Sequence, residues 1–188
     1  MRTEELQTLK AVILYIINHS AEDKRDVYGI VKTAFFAQQR HFVMYGLPLF
    51  CDEVCALPFG PVPSQIYDIL KIARGDSETC QRHRNDGLAD IADTISFAYE
   101  RYDAKEEADM DWLSVSNIDC LDYAINYVGK LSFQDIYERT HDSEEYLRAR
   151  NTSGRKVMDD LAIASEGGAD EATIRYLQEH FEIRKALA

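Results

Sequence analysis

The sequence predicts a mainly α-helical fold: one compact domain of about seven or eight helices with a small β hairpin or sheet. Three observations point there. Apolar residues recur at spacings of three and four along most of the chain, in runs that open on Ser, Thr or Asp and often close on glycine. One stretch, Ile95 to Tyr99, alternates apolar and polar positions as a half-buried strand does. The 188 residues suffice for one domain with its own core, or for two small ones at most.

Taken in order, Thr3 is placed to cap a first helix whose inward positions are Leu6, Leu9, Ile13, Ile16 and Ile17. The polar stretch from His19 to Arg25 ends that pattern. Asp26 then opens a longer helix through Val27, Ile30, Val31, Ala34, Phe35, Phe42 and Tyr45, with Gly46 as its left-handed stop and Pro48 preventing resumption. This helix is apolar over more than one stripe, so it is expected at the centre, packed on several sides. Phe59-Gly60-Pro61-Val62-Pro63 reads as a turn and not as a regular element.

Pro63 or Ser64 opens a helix with Ile66, Tyr67, Ile69, Leu70 and Ala73 inward, stopped at Gly75, and a short helix is expected from Asp86 to Ala92. The alternating Ile95, Phe97 and Tyr99 form a strand, and Arg101 to Asp111 a second strand or a loop. Ser116-x-x-Asp119 and Ser132-x-x-Asp135 have the form of capping boxes before helices that hold Leu121 and Ile136. Ser143 caps a short helix through Tyr146. Val157 to Ala164 reads as another, and Asp170 caps the last, with Ile174, Leu177 and Phe181 on one face. The whole of residues 1–188 is expected to be a single domain, with C-terminal helices over 155–188 packed on the rest.

Charge narrows the function. The chain carries 33 acidic and 21 basic side chains, a net charge of −12. The acidity is local: Cys51 to Arg150 holds 21 acidic against 10 basic groups, whereas Met1 to Phe50 is nearly neutral. A surface of this sign does not grip phosphate backbones or anionic lipid, so neither nucleic acid nor a membrane is expected as partner. The longest apolar run, Ala11 to Ile17, is too short to span a bilayer. Met1-Arg2-Thr3-Glu4-Glu5 lacks the pattern of a secretory leader, and four cysteines do not make a disulfide scaffold. A cytoplasmic protein is the expectation.

Chemistry-bearing motifs are sparse. Cys51-x3-Cys55 with Cys80-x2-His83 supplies four ligands of the kind zinc takes, although the spacing is unlike a zinc knuckle. Cysteine nucleophiles lack a local signature, the carboxylate pairs lie in polar stretches, and no phosphate-binding glycine pattern occurs. The expectation is therefore no enzyme and no cofactor, with a zinc- or cysteine-dependent enzyme using Cys51, Cys55, Cys80 and His83 as one alternative. An acidic mimic of nucleic acid is another. The more distinctive feature is aromatic: Tyr45, Phe50, Phe59 and Tyr67 gather around the glycine and glycine–proline turns, as in a protein-binding hot spot.

The same segment carries a resemblance. Tyr28-Gly29-Ile30-Val31-Lys32, Ala34 to Gln38, His41, Met44-Tyr45-Gly46-Leu47-Pro48-Leu49-Phe50, Phe59-Gly60-Pro61-Val62 and Ile66-Tyr67 occur in an order that resembles the Panacea-domain family, the SocA-like, phage-associated antitoxins. Leu113-Ser114, Asp119, and Thr140-His141 followed by Tyr146 resemble its C-terminal half, so the likeness spans roughly residues 27–150. Leu57-Pro58-Phe59 and Glu145-Tyr146 stand where the family often has tryptophan. The resemblance implies a mostly α-helical domain that neutralises a toxin, encoded by an adjacent gene, through direct and non-catalytic contact. Tyr45, Phe50, Phe59, Gly60, Pro61, Tyr67 and His141 are then the candidate contact or framework residues. Homodimerisation and the identity of the toxin are left open.

Overall fold

A computed structural model describes residues 2–187. Among them are ten α-helices and two antiparallel two-stranded sheets, so the protein is mainly α with small β hairpins. Both counts exceed the expectation of seven or eight helices and one hairpin. One of the helices is a short polar one that no apolar periodicity announces, and the added hairpin contains prolines.

Helix α1 (Thr3–His19) and helix α2 (Val27–Tyr45) form the centre. Arg2, not Thr3, is the N-cap of α1, because the Glu5 carboxylate reaches back to the Arg2 backbone N–H at 3.0 Å. Asp26 caps α2 through the Gly29 N–H at 2.6 Å, and Gly46 ends it at φ 60°. Two apolar cores flank α2. Ile30, Val31, Ala34 and Ala37 join the larger, with α1, helix α3 (Ser64–Ala73), helix α5 (Leu88–Ala92) and helix α6 (Val115–Gly129). Phe35 and Phe42 face a smaller core shared with helix α8 (Glu144–Asn151), helix α9 (Asp160–Glu166) and helix α10 (Glu171–Ala186). Helix α4 (Ser77–Arg82) is the short polar addition. Helix α7 (Phe133–His141) lies between α6 and α8, capped by Ser132 and Asp135 as the sequence predicts.

The Phe59 to Pro63 segment corrects the expectation of an irregular turn. Strand β1 (Val54–Leu57) pairs with β2 (Gly60–Pro63), Cys55 opposite Val62 and Leu57 opposite Gly60. Prolines fit because of the register. Val54 and Ala56 direct their backbone groups away from β2: the Ala56 N–H donates to Lys156 O, and Val54 O accepts from the Met158 N–H, both at 2.8 Å. Their partners Pro63 and Pro61 therefore occupy the outward positions of β2, where no ladder needs an N–H. The same bonds hold residues 156–158 extended, which is why α9 begins at Asp160 and not at Val157.

The capping box of α6 also differs from the expected one. Ser114 and Asn117 form it, while Ser116 sits inside the first turn and its hydroxyl lies 3.2 Å from His41 Nε2. The other hairpin joins strand β3 (Ile95–Ala98) to strand β4 (Arg101–Ala104) through Tyr99 and Glu100, both at positive φ (51° and 61°).

The segment after α2 has little regular structure, yet Leu49 and Phe50 are buried. Buried backbone groups need partners. Gln38 supplies them: its Oε1 accepts from the Leu49 and Phe50 N–H groups at 2.9 and 3.2 Å, and its Nε2 donates to Phe50 O at 3.2 Å. Asn117 Nδ2 donates to Leu49 O at 3.1 Å, and His41 Nδ1 lies 2.7 Å from Leu47 O.

Replacing Gln38 with Leu keeps the volume and orphans these groups. Urea unfolding is expected to show a loss of about 2–4 kcal/mol, and a loss under about 1 kcal/mol would contradict the account. In the β3–β4 turn, Glu100→Gly removes the cost of holding a side chain at positive φ. It is expected to raise stability by up to about 1 kcal/mol, with no change in the slope of the urea transition.

Candidate protein-binding face

Helix α7 is amphipathic in an unusual way. Ile136 and Thr140 are buried inward, and Thr140 Oγ1 donates back to Ile136 O at 2.9 Å. Phe133, Tyr137 and His141, spaced by four, form an aromatic stripe along another face of the same helix. Their ring centroids are 6.1 and 3.6 Å apart in sequence order. Tyr28 on α2 extends the stripe at one end, 4.6 Å from Phe133, and Tyr146 on α8 at the other, 4.7 Å from His141.

Beside the stripe runs a groove of about 430 Å³. Val27 and Val31 of α2, Leu57 and Val62 of the β1–β2 hairpin, and Tyr67 of α3 make its walls. Two aromatic rings stand at its mouth, Phe59 at the hairpin turn and Phe133 at the start of α7, 63% and 52% exposed. Exposed phenyl rings on either side of an apolar groove are what a protein-binding surface supplies and what a monomer otherwise avoids.

Lys32 lies at the base of this groove with no exposed surface. Its Nζ donates to Pro61 O at 2.8 Å and stands 5.3 Å from the Tyr28 ring centroid. Burial alone lowers its pKa to about 7, with no carboxylate contributing. Tyr28, on the groove wall, has a buried hydroxyl with no hydrogen-bond partner among the described residues; burial, then Asp26 and Tyr137, push its pKa up to about 12.

Gly60 is the joint of the arrangement. At φ 97° it adopts a conformation that side chains avoid, and a Cβ there would stand 2.6 Å from Lys32 Nζ and 2.8 Å from Thr140 Oγ1. The hairpin turn is tied to α7 and α8 on its other side. His141 Nε2 lies 3.0 Å from Pro58 O, and the Tyr146 hydroxyl donates to Leu57 O at 2.8 Å.

Of the residues singled out in the sequence, Phe59, Gly60, Pro61, Tyr67 and His141 meet in this one region. Tyr45 does not: it sits at the end of α2, its ring 4.9 Å from that of His41 and next to the Gly46 turn that packs on Tyr176. Phe50 is 3% exposed and belongs to the core. Sequence reasoning passed over Lys32, Tyr28 and Phe133. The available signal was a lysine within a helix apolar on several sides, where no solvated face remains for its amine.

The alternative metal set does not assemble. Cys51 Sγ contacts Arg184 and Glu5, at 2.7 and 3.7 Å. Cys80 is exposed, and His83 is held between Asp68 at 2.9 Å and Asp86 at 2.5 Å. Burial lowers the pKa of His83, but the hydrogen bonds and charges of Asp86 and Asp68 outweigh it and leave the pKa raised. Among the described residues no group of three or more His, Cys, Asp or Glu side chains could hold a metal ion. None of the described helices is long and apolar enough to cross a membrane.

The buried amine has a measurable signature. An unfolded lysine keeps its proton to about pH 10.4, whereas folded Lys32 releases it near 7, so between these values the unfolded state binds more protons. Lys32 therefore contributes a stability that rises with pH, by up to about 1.4 kcal/mol per unit between about 7 and 10. Lys32→Met removes this slope: the variant is expected to be the more stable protein at pH 7, with the difference shrinking by pH 10. Parallel pH dependences for the two proteins would contradict the burial of the amine.

Comparison with known proteins gives one clear match. The family model described as antitoxin SocA-like, Panacea domain, covers residues 30–146, well over half of the chain. No curated protein matches, and no solved structure does. The chain belongs to the SocA-like Panacea-domain antitoxin family.

Proposed function

We propose that this member of the family is an antitoxin that neutralises its toxin by direct protein contact, without catalysis, through the face formed by the β1–β2 hairpin and α7. The observation that carries the reading is the pair of exposed rings, Phe59 and Phe133, both within the family-matched residues and both lining one apolar groove. The hairpin that presents Phe59 is braced by Lys32, His141 and Tyr146. Preorganisation of this kind lowers the entropy lost when a partner docks.

The toxin is expected from an adjacent gene, and both proteins act in the cytoplasm. The net charge of −12, most of it carried between Cys51 and Arg150, favours encounter with a partner more basic than this chain.

Co-expression tests the proposal. The neighbouring gene product is expected to arrest growth alone and to be harmless with the wild-type chain, with which it co-purifies. Phe59→Ala and Phe133→Ala alter exposed rings, so thermal stability is expected to be nearly unchanged. Each variant should weaken the complex about tenfold or more, and together they should abolish rescue. Rescue that persists in a well-folded double variant would place the interface elsewhere. Absence of both rescue and complex with the wild-type chain would end the antitoxin reading.

A further inference from the structure

The groove is apolar, yet two of the residues that line it, Lys32 and Tyr28, carry polar groups whose hydrogen-bonding capacity is not met among the described residues. Lys32 Nζ has three donors when charged and uses one, on Pro61 O. The Tyr28 hydroxyl has no partner. No carboxylate of the described residues lies near enough to contribute to the state of the amine. An apolar side chain alone would fill the groove and leave both groups unmet, which makes them a poor solution for a purely hydrophobic occupant. An acidic one meets them.

We infer that the groove receives an Asp or Glu side chain of the toxin, flanked by an apolar residue that packs between Phe59 and Phe133, and that the Lys32 amine neutralises the incoming carboxylate. This rests on the antitoxin reading for the partner and specifies its chemistry. The acidic surface and the buried cation then act at different ranges. The surface governs the approach of the whole molecule, whereas Lys32 is sensed only within the low-dielectric groove.

Lys32 has no exposed surface in the free protein and its amine lies against Pro61 O and beside Gly60, so direct contact with a carboxylate requires the residues around the amine to shift. Because Lys32 is largely neutral near pH 8, seating a carboxylate takes up a proton, and binding weakens as the pH rises above about 7. The other titratable groups around the amine are Tyr28 on its own helix, Tyr67 on α3 and His141 on α7.

The test uses 3-phenylpropionate, which carries a ring and a carboxylate, and its neutral counterpart 3-phenylpropanamide, titrated into the full chain and followed by backbone and lysine NMR. The acid is expected to give saturable shifts at Phe59, Val62 and Tyr67 at pH 6. Its affinity should fall by up to tenfold per pH unit above about 7. Lys32→Met should erase both the preference for the acid and the pH dependence, whereas His180→Gln, on α10 and outside the groove lining, should retain them. Equal binding of acid and amide, shifts confined to another surface, no saturation at millimolar probe, or a preference that survives Lys32→Met would each overturn the inference. So would probe binding that disappears as the chain self-associates in sedimentation experiments, which would assign the groove to a second copy. Failure of the wild-type chain to rescue toxicity would strike the antitoxin reading and not the groove's chemistry, which the probe measures by itself.

Discussion

The constraint on which this structure depends is the burial of most of α2 between two cores. Its inward faces have no water to solvate polar side chains, and they carry Lys32, Gln38 and His41. Each must find a partner within protein, and all the α-helical backbone groups around them are already used. They turn to the segments that have backbone groups to spare. Lys32 takes a carbonyl of the β1–β2 hairpin, Gln38 takes three groups at Leu49 and Phe50, and His41 lies against Leu47 O and the Ser116 hydroxyl. One helix thereby fixes the path of the chain for the next twenty residues. The hairpin is short and would be marginal alone, since two strands do not hold themselves together in water. It is rigid here because α2 fastens it from below and His141 and Tyr146 from the side.

How much of this could be read from the sequence follows from the range of each interaction. Helix ends are local events, and Asp26, Gly46, Ser132, Ser143 and Asp170 all stand where cap chemistry puts them. Apart from α1, where the local bond from Arg2 N–H to Glu5 puts the cap at Arg2 and not Thr3, the failures occurred where a long-range bond decided between local alternatives. Ser114 and Ser116 both open a plausible capping pattern. The choice falls to Ser114, whose partner Asn117 also holds Leu49 O, 68 residues away in sequence. Pro61 and Pro63 spoke against a strand, and only the pairing of β1 shows that they lie on its outward side. The proposed binding face was half legible. Its turn residues Phe59, Gly60 and Pro61 are marked by composition, and Tyr67 and His141 by the family pattern. Lys32, Tyr28 and Phe133 join them only through the meeting of α2 with α7, which no periodicity encodes.

The face also separates two properties that a single list of exposed residues would merge. Phe59 and Phe133 are accessible, so substitutions there act chiefly on the surface. Gly60 and Lys32 are buried and locked to each other, so changes there act on the fold and on the groove at once.

The placement of the prolines limits the manner of recognition itself. Many partners bind by adding a strand to an open sheet edge, trading backbone hydrogen bonds that ask little of side chains. Neither edge of the β1–β2 hairpin permits it. Residues 156–158 already occupy the outer side of β1. On β2 the outward positions are Pro61 and Pro63, which have no N–H to give, and Lys32 has claimed the Pro61 carbonyl. The hairpin cannot be extended by a stranger's backbone, nor recruited into an intermolecular sheet. Any partner that stops here must be read by the shape and charge of its side chains.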